Sequence, residues 1–293
     1  PRWPTRMTCY PPEKGKNHGI YVLDVRAQQV VKLTHRGNLM WVWGTRGDGP
    51  GEVQRIRAMS ATPDGVVVAD SDNQRLLWVD SVGRLQREAR IRAQSRSTVG
   101  SIEGIATLKS GYVLEATGTL WPILLATGEQ QSSARPFWPI LGKMPSLQRI
   151  GMVTGTGEDE WVFSFLYGNG WIRFKGDMPL AAHPFVEHSD FPRLVVEKRR
   201  EGLMTVTSTR HQKRPRRMTS DVKSAGDTLL VLSATGRGRR VIDKYDMLSG
   251  EYWYSQELPG ASKIAVAGDR IVVIDNSGLT PTIRSYQVTR RPR

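Results

Sequence analysis

The sequence predicts an all-β fold, a six-bladed β-propeller built from four-stranded antiparallel blades with a basic insertion between blades 4 and 5. Three observations carry that expectation. Between Ala58 and Ile91, "AMSAT", "VVVAD", "RLLWVD" and "LQREARI" alternate or run apolar, separated by Pro63-Asp64-Gly65, Asp72-Asn73 and Val82-Gly83, which is the residue chemistry of tight turns. This four-strand unit recurs at a period of about 42 to 51 residues, the spacing of propeller blades. No long amphipathic helical pattern interrupts the series, which argues against a parallel α/β sheet.

The repeats can be followed along the chain. First strands begin at "MTCY" (Met7), "AMSAT" (Ala58), "GIATL" (Gly104), "GMVTG" (Gly151), "DVKSAG" (Asp221) and "KIAVAG" (Lys263). Each leads through a turn into a stronger apolar run: "GIYVLD", "GVVVAD", "GYVLEA", "EWVFSF", "DTLLVLS" and "DRIVVID". Third strands follow at "QVVKLT", "RLLWVD", "WPILLA", "GWIRF", "RVIDKYD" and "TIRSYQV". The whole reads as one domain with blades at about 7–43, 58–92, 104–138, 151–186, 221–258 and 263–288 and an insertion at 187–220. The last unit supplies three strands, and the residues before Met7 are its expected fourth. The tryptophans, Trp41, Trp78, Trp161 and Trp171 among them, are expected to pack between blades.

Composition bounds the function. With 39% hydrophobic and 24% charged residues the chain has the make-up of a folded domain. No run of about eighteen uncharged apolar residues is present to form a membrane-spanning helix. The single cysteine, Cys9, excludes an intrachain disulfide and a cysteine-rich zinc site, and reads as a buried apolar residue on a strand. An opening Pro1 without a preceding apolar leader is expected of a processed or trimmed N-terminus. The net charge of +14 should attract acidic protein, nucleic acid or anionic lipid.

From Gly44 to Leu85 the chain resembles an NHL repeat. The residues that carry the resemblance are Gly44, Gly47, Gly49, Pro50, Gly51 and Glu52, then Asp64-Gly65, Val68-Ala69-Asp70, Ser71, Asn73, Arg75, Trp78, Asp80 and Gly83. The first unit matches more loosely, and units three to six keep only the strand rhythm. The resemblance implies a propeller, a glycine-rich crossing between blades, and a structural polar clasp formed by Asp70, Asn73 and Arg75.

Catalytic chemistry finds little support. The five histidines, His18, His35, His183, His188 and His211, do not fall at equivalent positions of successive inner strands, and "HPFVEH" lacks ligand spacing. The inner-strand residues Thr8, Tyr10, Ser60, Thr62, Ala106, Val153, Lys223, Ala225 and Ala265 offer scarcely a carboxylate for calcium. The glycines of "GTGED", "GNG" and "GRG" are turn glycines rather than phosphate loops. No enzyme, metal or cofactor is therefore expected.

Charge points elsewhere. In a blade whose strands run from inner to outer, the loop between strands two and three shares one end with the connection to the next blade. That gathers the insertion's Lys198, Arg199, Arg200, Arg210, Lys213, Arg214, Arg216 and Arg217 with Arg237, Arg239 and Arg240, joined by Arg46, Arg55 and Arg57. "RLVVEK" and "LMTVTST" read as a hairpin around Arg200 to Gly202. The expected function is a non-enzymatic protein-binding or accessory subunit of an extracytoplasmic or periplasmic, membrane-associated assembly, docking acidic protein through this basic rim. Alternatives are single-stranded nucleic acid, for which the insertion offers only Phe191 as a stacking residue, contact with anionic lipid, and a propeller lyase or hydrolase with a metal in the central channel.

Overall fold

The computed structural model describes residues 4–9, 19–93, 101–117, 123–126, 131–136, 150–156, 158–187, 194–201, 204–211, 218–234 and 239–287. The first blade comprises β1 (Pro4–Cys9), β2 (Ile20–Asp24), β3 (Gln29–Leu33) and β4 (Leu39–Trp43). After a short parallel pair, β5 (Thr45–Arg46) and β6 (Glu52–Val53), the second blade holds β7 (Ile56–Thr62), β8 (Gly65–Asp70), β9 (Arg75–Asp80) and β10 (Leu85–Ala93). The third holds β11 (Ser101–Thr107), β12 (Tyr112–Thr117), β13 (Ile123–Ala126) and β14 (Gln131–Pro136), and the fourth β15 (Gly151–Gly155), β16 (Glu160–Phe165), β17 (Gly170–Lys175) and β18 (Met178–Pro184). A hairpin, β19 (Leu194–Glu201) and β20 (Met204–His211), precedes the fifth blade of β21 (Asp221–Ala225), β22 (Thr228–Ala234), β23 (Arg240–Asp246) and β24 (Tyr252–Glu257). Last come β25 (Ala261–Ala267), β26 (Arg270–Asp275) and β27 (Thr282–Gln287).

The all-β propeller is present, but it has five four-stranded blades, not six. The sixth unit of the sequence is a three-stranded sheet, β25-β26-β27. Its expected fourth strand is absent among the described residues because the segment that opens the chain is used elsewhere: β1 starts at Pro4 and pairs with β2 as the innermost strand of the first blade. The ring closes by β1 lying beside β25. The second and third blades are also joined, at their outer strands. β10 extends past its pairing with β9, and its free end, Arg90 to Ala93, pairs in parallel with β14.

Strand periodicity explains the ring. Successive side chains of β8 point to opposite faces: Val66 and Val68 enter a core with Tyr21 and Leu23 of the first blade, whereas Val67 and Ala69 enter one with Ile105 and Leu114 of the third. The same division repeats around the molecule, and six core clusters lie between neighbouring sheets. Trp161 and Trp171 are buried at such contacts, and Trp78 donates its indole N–H to Tyr112 Oη of the next blade at 2.6 Å.

The clasp implied by the repeat pattern is built as expected. Asp70, with no exposed side chain, accepts from the Arg55 N–H at 3.0 Å and from Asn73 Nδ2 at 2.8 Å, and lies 3.5 Å from Arg75 Nε. Arg75 also donates to the Glu52 carbonyl at 2.6 Å and to Glu88 at 3.0 Å. The next residue, Ser71, accepts the Ile102 N–H at 2.9 Å, linking the clasp to the third blade. The first unit uses Asp24 in the same place, capping the N–H groups of Arg26 and Ala27. In both units the turn ends on a glutamine with positive φ, Gln28 at 56° and Gln74 at 49°. Gly44, at φ 110°, starts the crossing between blades, where a Cβ would lie 2.7 Å from the Gln28 carbonyl oxygen.

Asp70→Ala would remove the acceptor of the Arg55 N–H and of Asn73 and the buried carboxylate that faces Arg75, whose side chain is only 8% exposed. We expect it to cost about 3 kcal/mol, read by chemical denaturation. Arg55→Ala removes an ion pair to Asp72 in which both side chains are nearly half exposed, and should change stability by no more than about 0.5 kcal/mol.

Candidate interaction surface and central channel

All six innermost strands run the same way along the channel, so the two ends differ in what they present. At one end the turns after the innermost strands surround a funnel of about 1240 Å³, lined by Thr8, Ser60, Thr62, Thr107, Thr156 and other residues. Many of these hydroxyls stitch neighbouring blades together. Thr8 Oγ1 accepts the Ala61 N–H at 3.2 Å, Thr107 Oγ1 donates to Ser60 Oγ at 2.8 Å, and Thr154 Oγ1 accepts the Ser224 N–H at 3.3 Å. Cys9, expected to be buried, is half-buried and lines this funnel, and burial pushes its thiol up to about 12 against the pull of Lys223.

The other end narrows to a space of about 20 Å³ among Arg6, Glu115, Asp221, Lys223 and Lys263. The expectation that inner strands carry scarcely a carboxylate is corrected here: Asp221 opens β21 and Glu103 lies on β11. Asp221 accepts from the Ile264 N–H at 2.9 Å and sits 3.4 Å from Lys223 Nζ, while Glu103 lies 3.5 Å from both Arg6 and Arg57. Lys263 Nζ donates to the Ser220 carbonyl at 2.9 Å. Burial alone would raise the Asp221 carboxyl. Lys223, Lys263, the Ile264 N–H and Arg6 together outweigh it and hold the group below the ordinary carboxylate range. The sequence signal was Asp221 placed two residues before Lys223, a spacing that puts both on one face of a strand.

The basic residues divide. Lys198, Arg199 and Arg200 stand on β19 and Arg210 on β20, which pair with each other from Leu194↔His211 to Glu201↔Met204 and with no strand of the ring among the described residues. Arg199 and Arg200 are exposed. Arg240 donates to Ser220 Oγ at 2.6 Å, which places the start of β23 beside the residue that precedes β21. Arg239 is exposed and paired with Glu257. Lys213, Arg214, Arg216, Arg217 and Arg237 lie outside the described residues. Two arginines expected on the rim, Arg55 and Arg57, have carboxylate partners in Asp72 and Glu103, so the field there is weaker than a count of cations suggests.

The described histidines and acids do not converge on one point. His183 packs against Trp171 with ring centroids 4.5 Å apart and the rings tilted by 41°, and burial, then Arg173, lowers its pKa. Asp243 lies in the fifth blade, accepting from Ser233 Oγ at 2.7 Å and Ser255 Oγ at 2.5 Å, with its pKa raised by burial. Among the described residues no group of three or more His, Cys, Asp or Glu side chains is placed to hold a metal ion.

No family model and no curated protein matches the sequence. Solved structures do match in fold. A member of the DUF4221 family from Bacteroides vulgatus aligns with a TM-score of 0.60 at 8% identity, over 98% of this chain and 94% of that one. The β-propeller domain of Cps50 (Swd1) from Myceliophteria thermophila aligns at 0.53 and 12% identity over 99% of both chains. A catalytically inactive virginiamycin B lyase from Staphylococcus aureus, solved with quinupristin, aligns at 0.53 and 13% identity, over 98% of this chain and 88% of that one. Together they define the class, a β-propeller. Since an enzyme stands among them, the fold does not choose the function.

Because the folded Asp221 value is depressed, its contribution is present above the unfolded value of about 4 and is lost as pH falls through the folded one. Asp221→Asn should therefore lower stability at neutral pH, and its difference from wild type should shrink below about pH 4, as followed by urea unfolding across pH. Asp243→Asn should show the opposite trend, gaining on wild type as pH rises through the elevated Asp243 value.

Proposed function

We propose that the protein is a non-enzymatic accessory or protein-binding propeller of NHL type, which docks an acidic partner at the end of the ring where the insertion emerges. The observation that carries this reading is the hairpin β19–β20. It adds to no blade among the described residues, and a two-stranded hairpin on its own is marginal in water. A segment that gains its order from another surface suits a docking arm. Its strands carry Lys198, Arg199, Arg200 and Arg210 against Glu197 and Glu201, and Lys213, Arg214, Arg216 and Arg217 follow. Arginine forks match carboxylates, which favours acidic protein as the partner.

The propeller is proposed to work outside the cytoplasm as part of a membrane-associated assembly, the chain itself having no described helix long and apolar enough to cross a bilayer. The NHL assignment draws support from the Asp70–Asn73–Arg75 clasp, which joins the residues of the repeat pattern in one hydrogen-bonded set.

The test is capture of the partner by tagged full-length protein from its own cells at low and high salt, with and without nuclease. Changing Arg214, Arg216 and Arg217 together to Glu should abolish salt-sensitive, nuclease-resistant capture while the melting curve stays that of wild type. Undiminished capture by that variant refutes the docking arm, and release by nuclease replaces acidic protein with nucleic acid.

A further inference from the structure

We infer that the open edge of β27 is a strand-addition site for an extended acidic segment of a partner protein. In four of the complete blades the third strand, β3, β9, β17 or β23, is buried along most of its length and is covered by a fourth. β27 holds the third position of its sheet, yet every residue but Tyr286 is exposed.

Its geometry is that of an interior strand. The outermost pairs β3–β4, β9–β10, β17–β18 and β23–β24 each carry a register shift. Such irregularities blunt an edge against further pairing. β26–β27 runs unbroken through six residue pairs, from Asp275↔Thr282 to Arg270↔Gln287. The strand "TIRSYQ" contains no proline or lysine to guard it, and its one charge, Arg284, lies 2.9 Å from Asp275. What remains is a regular edge about 20 Å long that pairs with no further strand among the described residues.

Alternation defines what fits beside it. One face of β27 shows Ile283 and Ser285, and the other shows Thr282, Arg284 and Tyr286, with Tyr286 packed against the core shared with the fifth blade. An added strand would set carboxylates by Arg284 and Arg270, and β-branched residues by Ile283. A second copy of this chain is disfavoured, since each copy carries a net charge of +14 and Arg290, Arg291 and Arg293 follow β27 directly. The inference shares with the proposed function only the acidity of the partner.

The test uses the full chain and a blocked eight-residue peptide alternating glutamate and valine, with amide hydrogen exchange as the readout. Saturating peptide should slow exchange of the outward-facing β27 amides by about tenfold or more. The same peptide N-methylated along its pairing side, which keeps its charge, should not. Equal protection by the N-methylated peptide, or protection confined to β19–β20, overturns the inference. So does a β27 edge already protected without peptide, whether independent of protein concentration, meaning that the chain covers itself, or rising with it, meaning that a second copy pairs. The variant with Arg214, Arg216 and Arg217 changed to Glu separates the two readings: β27 protection persists in it if strand addition is right, even where the docking arm fails.

Discussion

A sheet with two apolar faces must be covered twice, and this constraint shapes the whole molecule. β8 is buried at all six positions, with alternate residues committed to different neighbours, so no blade can complete its core alone. The stable solution is a closed ring in which every sheet covers the next. Each buried valine or leucine contributes about 1.5–3 kcal/mol, and the contribution exists only while the neighbour it faces is in place. Polar groups follow the same logic. Asp70, Ser71 and Arg75 spend their hydrogen bonds on the crossing between blades, and the Thr8, Thr107 and Thr154 hydroxyls tie adjacent inner strands.

The common direction of the inner strands gives the ring two unlike ends. One is a wide, hydroxyl-lined funnel with Asp64, Asp80, Arg87 and Lys109 also in its lining. The other is closed by compensating ions, with Arg6, Lys223 and Lys263 set against Asp221, Glu103 and Glu115. Burial makes Asp221 and Glu115 expensive by themselves, and the half-buried ions beside them make the set tolerable. Ser220, the residue before β21, lies at this second end, held by Arg240 and Lys263. Charge at this narrow end is thus largely compensated, and Arg199 and Arg200 on β19 are exposed.

Repeat detection read the fold well because the turn residues and the two-residue period are local. Asp64-Gly65, Asp70 with Asn73, and Val82-Gly83 fall where turns occur, and the hairpin around Arg200 and Gly202 pairs as its alternation suggested. The candidate site was less legible. Counting arginines located the arm, but could not reveal that Arg55, Arg57 and Arg239 meet Asp72, Glu103 and Glu257, because those partners are remote in sequence or supplied by another strand. The ions around Asp221 escaped notice for the same reason, as they come from β1, β11, β12, β21 and β25.

By itself, then, the sequence determined the strands, their turns and the clasp of the best-formed repeat, since each depends on residues a few positions apart. Only the tertiary structure decided how many strands each sheet owns. Among the described residues the last unit has no neighbour for β27, because β1, the first strand of the chain, has its hydrogen bonds committed to β2, and a strand can serve as the innermost member of one sheet or the outermost of another, not both. That allocation depends on which ends meet when the ring closes, a fact no local pattern contains.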